Sequence, residues 1–424
     1  MEEKKVYIFG VGGVSPLGKP YDMFENLCGR MSGTLKNTFN TYRTVNKTFD
    51  HVTVKLWDTI AAQVQEFHPE EYLDKKEILR MDPFTQFAVH AAKQAVEQSG
   101  LIFTDSIRKR TALVIGTGLV GLTNLENQYR RLLTMGADKV SPSLVPTIMP
   151  NAAVFALAKR FGCYGPSLTP VAACATGLVA IGEAYYMIKS GRADCALAGA
   201  TEAVITPLAM ATFGNMKALC PDTENSQQRS RPFDLYRKGF VMGEGAGVLF
   251  MGSGRFAEKY NLTPLAEIAG YANVQDPHHI TFPDPEATCA TMTIDLALQD
   301  AHTGTDEVVY INPHATGTDA DPIEALAIRN IFDERAARIP ISSSKGGLGH
   351  TMAAAGALET IICVMTLLQG RAHPAINLEI VDPECAGLGH ILGGSCPISP
   401  GPILKTSFGF GGANAAIVIK PVLS

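Results

Sequence analysis

Residues Ser167 to Asp194 read SLTPVAACATGLVAIGEAYYMIKSGRAD. Leu168 to Ala173 is a short apolar run and predicts a buried strand. From Ala175 to Ser190, Leu178, Ile181, Tyr185 and Ile188 recur at helical spacing and predict a helix. The Cys174 thiol therefore falls at a strand-to-helix junction, where free backbone N–H groups and the positive end of the helix dipole favour thiolate. The small neighbours Ala172, Ala173, Ala175 and Gly177 leave room for a substrate to reach it. A cysteine among alanines is equally often a small core residue, and the chain holds 9 cysteines. Choosing between nucleophile and core residue needs the rest of the sequence.

At 424 residues, 46 % of them hydrophobic and 18 % charged, the chain is long enough for more than one buried core. A net charge of −5 supplies no basic field for nucleic acid or an anionic membrane, so an acidic partner needs a local patch. The start, MEEKKVYIFGVGG, has no signal-peptide shape. The most apolar helical stretch, Met352 to Leu368, carries Glu359 and falls short of a spanning length. The odd cysteine count without a CxxC pair indicates neither a disulfide framework nor a structural zinc. The chain reads as soluble and cytoplasmic.

Strand-like runs alternate with helical ones, and Gly-rich turns close many of the strands, which predicts α/β architecture with largely buried strands. The second half replays the first. Leu265 to Ala272 opens a unit as Val6 to Val11 does. Val308 to Ile311 runs into NPHATGT as Thr111 to Ile115 runs into GTGLVG. Ile339 to Ser342 leads through Lys345 and His350 into an Ala-rich helix, as the Cys174 strand leads into its own. Leu404 to Phe408 and Ala415 to Ile419 close the chain around GFGGAN, echoing Cys195 to Ala200 and Gly247 to Met251. Two copies suggest a duplicated unit, with the boundary in Gly252–Asn261 and the halves at 1–254 and 255–424. Pro221 to Arg231 and Asp276 to Glu286 read as loops at a site mouth.

Cys174, His314 and His350 occupy matching places after strands, so they converge where the halves meet. A cysteine needs a base or cationic neighbour to act as a nucleophile, and histidine supplies either. Lys345 stands in a Ser/Gly-rich turn, where a lysine is ordinarily solvated. Gly409 to Gly412 is either a tight hairpin or a backbone N–H aimed at a developing oxyanion. His278 and His279 point apart on most backbones and read as loop histidines, with no metal site. The competing reading is a dinucleotide site: Gly116 to Gly121 matches GxGxxG, with Asp138 at the distance of a ribose contact. It leaves the Cys and both His unexplained.

The chain resembles the β-ketoacyl-acyl-carrier-protein synthases, condensing enzymes of the thiolase-like fold. The likeness runs over nearly the whole length. Its most specific pieces are AACATG around Cys174, RPFDLYRKGFVMGEGAG from Arg231, DADPIEA from Asp319, SSSKGGLGHTMAAAGALE from Ser342 and SFGFGGAN from Ser407. The resemblance implies a five-layer αβαβα fold of two related halves and a dimer, made with itself or with a chain-length-factor-like subunit. It implies that Cys174 takes an acyl group from the phosphopantetheine of an acyl carrier protein. Cys174 and Phe410 N–H groups would form the oxyanion hole, with Phe410 as gatekeeper. His314 and His350 would hold the enolate formed as malonyl-carrier loses carbon dioxide, and neither a metal nor a dissociable coenzyme is needed. Lys345, Glu324 and Asp321 match supporting positions, and Thr316 and Thr318 match those that bond the pantetheine arm. Leu119, Leu144 and Phe213 match the acyl pocket, Leu144 reaching across the dimer. Lys75, Lys76, Arg80 and Lys217 match the carrier-docking spot.

Two departures stand out. Ala315 follows His314 where the family usually has Gly, and the loop to the acidic pair is one residue short, which puts the placement of Asp321 and Glu324 in question. Lys238 stands where Asp is common. Both point to a specialised polyketide or polyene pathway rather than housekeeping fatty-acid synthesis. The alternatives are a thiolase, which would want a second Cys near the C-terminal Gly loop, and a non-catalytic chain-length-setting subunit, which the intact Cys-His-His set opposes.

Overall fold

The computed structural model describes residues 5–37, 59–221 and 224–422, so Met1 to Lys4 of the N-terminal reading lie outside the described residues. Eleven strands form one continuous sheet. They are β1 (Val6–Val14), β2 (Thr111–Gly116), β3 (Ser167–Leu168), β4 (Cys195–Glu202), β5 (Gly245–Ser253), β6 (Ala266–Gln275), β7 (Tyr310–Asn312), β8 (Pro340–Ile341), β9 (Gly389–His390), β10 (Ile403–Gly409) and β11 (Ala413–Lys420). Their order is β9-β8-β7-β10-β11-β6-β1-β5-β4-β2-β3. Read outward from the β1–β6 seam, one side runs 1-5-4-2-3 and the other 6-11-10-7-8, with β9 added at its far edge. The senses agree as well: β2 lies parallel to β4 as β7 does to β10, and β4 antiparallel to β5 as β10 to β11. The seam is short, pairing Val6 with Ile268, Tyr7 with Glu267 and Ile8 with Ala266.

Six helices position the site: α1 (Pro83–Ser99), α2 (Leu122–Met135), α3 (Thr176–Lys189), α4 (Thr288–Asp300), α5 (Asp321–Phe332) and α6 (Ala355–Gln369). Alternate residues of each strand serve different cores, as the two-residue period requires. Val114, Ala198, Ile417 and Ile419 face a central core with Leu178 and Ile181 of α3 and Leu358 and Ile361 of α6. Leu113, Ile115 and Leu197 face the other way, onto Phe84, Phe87 and Ala91 of α1. Val418 and Leu404 pack on Ile294 of α4 and Ile328 of α5. Three helix layers thus enclose two sheet layers, the five-layer arrangement expected. Each large side chain buried this way contributes roughly 1.5–3 kcal/mol. The apolar stretch Met352–Gln369 is long and apolar enough to cross a membrane, yet most of it is buried inside the protein, and its last fifteen residues are the core helix α6.

One expectation fails. Leu168 to Ala173 is not a buried strand: only Ser167 and Leu168 pair, with Leu113 and Val114, at the free edge of the sheet. Both are exposed, and Val171 is 58 % exposed. Pro170 has no N–H to give a ladder, so the run leaves the sheet after two residues.

Candidate active site

Cys174 sits in a 3-10 turn, Ala173–Ala175, that leads into α3. A matching turn, Met352–Ala354, leads into α6. Ala173 (φ 45°) and Met352 (φ 52°) open these turns in the left-handed region, a costly conformation for non-glycine residues. The two helices cross so closely that a Cβ on Gly177 would lie 2.5 Å from Ala357 N, and one on Gly356 2.8 Å from Leu178 N. Glycine at both points lets the helix starts meet.

His350 stands just ahead of the second turn. Its N–H donates to Val241 O at 2.7 Å, and its carbonyl accepts from Gly243 N at 2.7 Å. Its Nε2 lies 3.0 Å from Cys174 Sγ. His314 follows β7, its ring 5.3 Å from that of His350 and nearly perpendicular to it. The spatial expectation therefore holds: a sulfur from the first half and two imidazoles from the second lie together, all buried.

Carboxylates beneath the site fix the His314 backbone. Glu324 accepts from His314 N at 2.8 Å, Ala315 N at 2.6 Å and Thr406 Oγ1 at 2.6 Å. Asp321 accepts from Thr316 N at 2.9 Å and Phe233 N at 2.8 Å, and also caps Gly317 N. The shortened loop leaves both acids engaged. Lys345 donates to His314 O at 2.6 Å and to Glu359 Oε1 at 2.5 Å. It is fully buried rather than solvated. Lys405, which the sequence reading passed over, lies 2.8 Å from the other oxygen of Glu359 and donates to Pro313 O at 3.4 Å. Its signal was a lysine inside an apolar strand, ILKTSFG, matched by a glutamate inside an apolar helix.

Burial pushes the Cys174 thiol up to about 12, against the pull of Lys345 and of the Phe410 N–H that it accepts. The expected resting thiolate is thus overturned: in a dry site desolvation outweighs the helix dipole. Burial first, then the charges of Lys345 and Lys405, holds both imidazoles well below their ordinary range; for His314 the neighbouring ring adds to this. The trio rests as neutral thiol and neutral imidazoles. Its ligating atoms lie within 4.8 Å of one another, a spacing that three zinc ligands could take.

A cavity of about 430 Å³ opens onto this trio. Thr316, Thr318, Asp321, Glu324, Phe213, Phe410 and Lys217 line it. Leu119, Leu144, Lys75, Lys76 and Arg80 do not; the last three lie exposed on the short helix Lys75–Arg80. Phe410 stacks on Phe213, ring centres 6.4 Å apart. Gly409 to Gly412 is a tight connection between β10 and β11, with Gly411 and Gly412 at positive φ, and it also aims the Phe410 N–H at the sulfur. Of the two loops expected at the mouth, the Asp276 to Glu286 segment lines the cavity and the Pro221 to Arg231 segment does not (222–223 lie outside the described residues). In the latter, Ser230 Oγ instead donates to Lys345 O. Among the described residues, Cys174 is the one cysteine lining the cavity, so the second thiol of a thiolase is missing here.

The dinucleotide reading fails on geometry. The N–H groups of Gly118 and Leu119 that would bind phosphate donate to buried Glu202, at 2.9 and 3.2 Å. Asp138 lies exposed beyond the far end of α2, about 20 Å of helix away.

Fold and site together define a thiolase-like condensing enzyme. The β-ketoacyl synthase N-terminal domain family matches residues 3–257 and its C-terminal domain family residues 265–379, and the chain belongs to the β-ketoacyl synthase family. It is 39 % identical to a 3-oxoacyl-[acyl-carrier-protein] synthase 2 of Coxiella burnetii, over the full length of both chains. A protein of the same name from Synechocystis sp. is 35 % identical over 99 % of each. Among solved structures, a type II polyketide synthase acyl-carrier protein in complex with its ketosynthase bound to the hexaketide gives a TM-score of 0.89 at 30 % identity, covering 99 % of this chain and 100 % of that one. The ishigamide ketosynthase/chain length factor gives 0.88 at 29 %, with the same coverage.

Proposed function

We propose that the chain is a β-ketoacyl-acyl-carrier-protein synthase of the cytoplasm, extending fatty-acid-like or polyketide chains by decarboxylative condensation. Residues 1–254 supply the nucleophile and residues 255–424 the imidazoles. Cys174 Sγ attacks the carbonyl of a carrier-bound acyl thioester while His350 Nε2 takes its proton, and the pantetheine sulfur leaves with that proton as a thiol. The N–H groups of Cys174 and Phe410 stabilise the tetrahedral oxyanion. Malonyl-carrier then enters past Thr316 and Thr318. Its C–C bond to the carboxylate breaks, carbon dioxide departs, and the electron pair is held as an enolate against His314 and His350. The enolate carbon attacks the acyl-Cys174 carbonyl and forms the new C–C bond; the C–S bond to Cys174 breaks, and the departing thiolate takes up a proton from water to regain the resting thiol.

Neutral imidazoles suit this step, because each can donate an N–H to an oxygen that gains charge. The chemistry needs neither a metal nor a dissociable coenzyme. Lys217 and Lys238 both line the cavity, two residues ahead of the Leu219–Phe240 parallel bridge on their respective segments. They give an acidic carrier a local basic spot, which Lys75, Lys76 and Arg80 extend. Exposed apolar side chains Leu125, Tyr129 and Leu132 on α2, with Val145 beyond it, suit a second ketosynthase subunit, either a copy or a chain-length-factor-like partner, whose pocket Leu144 would reach. Lys238 carries the specialised-pathway reading alone, since in the shortened loop Glu324 still holds His314 N–H and Asp321 the N–H groups of Thr316 and Gly317.

The observation that carries the reading is the 3.0 Å approach of His350 Nε2 to Cys174 Sγ at the inner end of a cavity that His314 shares. The test is mass spectrometry of the protein after incubation with acyl-carrier and then malonyl-carrier. Acyl mass should appear on Cys174 and be lost with Cys174→Ala, and a β-ketoacyl carrier should form only with both histidines present. Full-rate loading of Cys174→Ala would reject the assignment.

A further inference from the structure

Four buried charges lie directly behind the two imidazoles: Lys345 and Lys405 on one side of the account, Glu359 and Glu324 on the other. Glu359 is held between the lysines, its two oxygens 2.5 Å from Lys345 Nζ and 2.8 Å from Lys405 Nζ. Glu324 is satisfied by two N–H groups and a hydroxyl, with no lysine of its own. The set is neutral only because Lys405 is present. With Lys345 alone it would keep one buried negative charge beside His314 and His350, and a negative charge favours protonated imidazole. Lys405 also donates to Pro313 O while Lys345 takes His314 O, so the two lysines grip consecutive carbonyls at the His314 peptide.

We propose that Lys405 is a positioning residue of the condensation site: it completes the charge balance that keeps His314 and His350 neutral, and it braces the peptide that carries His314. This rests on the condensing-enzyme reading for its purpose, although the ionisation itself is measurable without any substrate. The other ionisable groups facing the rings are Cys174, whose thiol burial keeps neutral, and Asp321, which faces Arg237 and backbone N–H groups. At the cavity wall stand Asp276, and at the mouth Lys217, Lys238, Asp319 and His279. Behind Glu359 lie Tyr310, Cys363 and His373, all neutral near pH 7, with burial moving the thiol up to about 12 and the imidazole down to about 4. None of these supplies the second buried cation. The influence of Lys405 on both imidazoles runs in the direction required.

The experiment is a carbon-13 NMR titration of the full chain labelled at histidine Cε1, with His314 and His350 assigned through their Gln variants. Lys405→Gln removes the charge and keeps a donor, and Lys405→Arg keeps the charge. In the unaltered chain both imidazoles should titrate well below the ordinary histidine range. Lys405→Gln should raise the titration of at least one by about one pH unit, a tenfold change in proton affinity, and Lys405→Arg should leave both where they are. Decarboxylation of malonyl-carrier by Lys405→Gln should then begin to fall, as pH is lowered from 8, about one pH unit earlier than in the unaltered chain. Unmoved imidazoles in Lys405→Gln, or an equal movement in Lys405→Arg, overturn the proposal. If the Gln variant does not fold, Lys405→Met, which removes the charge at a similar side-chain length, is read in its place against Lys405→Arg, and unmoved imidazoles there overturn the proposal in the same way. Absence of any decarboxylation in the unaltered chain overturns the condensing-enzyme reading alone, since the NMR titration answers the charge question separately.

Discussion

Cys174 should be a poor nucleophile towards reagents that bring no base of their own. With the thiol pushed up to about 12, its thiolate fraction at pH 7.5 is about 3 × 10⁻⁵, roughly 3000-fold below that of a thiol of ordinary acidity near 8.5. A more basic thiolate is intrinsically more reactive, and a Brønsted slope of 0.4–0.5 returns about 40-fold of this. The net expectation is alkylation by iodoacetamide about two orders of magnitude slower than for a free cysteine. The rate should climb tenfold per pH unit from pH 7 to pH 10 without levelling. Peptide-level mass spectrometry isolates Cys174 from the other eight cysteines, with Cys174→Ala as blank. Acyl loading from a carrier thioester should instead vary little over this range, because His350 sits 3.0 Å from the sulfur and takes the proton during attack. A plateau in alkylation below pH 9, or a rate within about fivefold of a free thiol, would mean that the helix dipole outweighs burial, and the reasoning would be wrong.

Lys345→Met leaves the buried carboxylate of Glu359 with one cation instead of two and should lower unfolding free energy by about 3–5 kcal/mol in a denaturant titration; a loss under about 1 kcal/mol would show that Lys405 alone satisfies it. Replacing Lys217 and Lys238 together by Glu should raise the KM for carrier-bound substrate more than it lowers kcat and remove the salt sensitivity of KM, and an unaltered KM would dismiss the basic mouth. Asp82 is fully buried, and burial raises its carboxyl from 3.8 to about 7. Its contribution to stability is complete below about pH 3.8 and is lost as pH rises through about 7, at most about 4 kcal/mol. The unaltered chain should therefore melt a few degrees lower at pH 8.5 than at pH 5.5, and Asp82→Asn should flatten that drop; an identical drop in the variant would contradict the assignment.

Much of the architecture was legible because it follows from periodicity. The repeat of strand, glycine turn and helix located the matching strands on the two sides of the β1–β6 seam, and the placement of Cys174, His314 and His350 after strands brought them together. What stayed hidden depends on contacts between distant segments. Nothing local reveals that Leu168 lies on a free sheet edge, since an apolar run reads alike whether a neighbouring strand or open solvent covers it. Lys345 reads as solvated because its partner Glu359 is fourteen residues away on another element. The GxGxxG loop misleads for the same reason: Glu202, which occupies its N–H groups, belongs to a strand more than eighty residues on.

Duplication explains why the nucleophile and its imidazoles come from opposite halves. Each half opens its turn with a left-handed residue, Ala173 or Met352, and starts a helix whose glycine meets the other helix backbone. The crossing is therefore mutual, and it places the open end of each helix over the other half. Equivalent positions then need not carry equivalent chemistry. The first half spends its helix start on a sulfur that must be approached by carbonyl carbon. The second spends its own on Ala353 and sets His350 just upstream, where a strand bridge to Met242 fixes its backbone. A symmetric pair of histidines at the helix starts would leave no sulfur to hold the growing chain. The asymmetry extends below the surface. Glu324, Glu359, Lys345 and Lys405 all belong to the second half, so burial and these charges act together on the imidazoles, while at the sulfur burial outweighs the opposing pull of Lys345 and the Phe410 N–H.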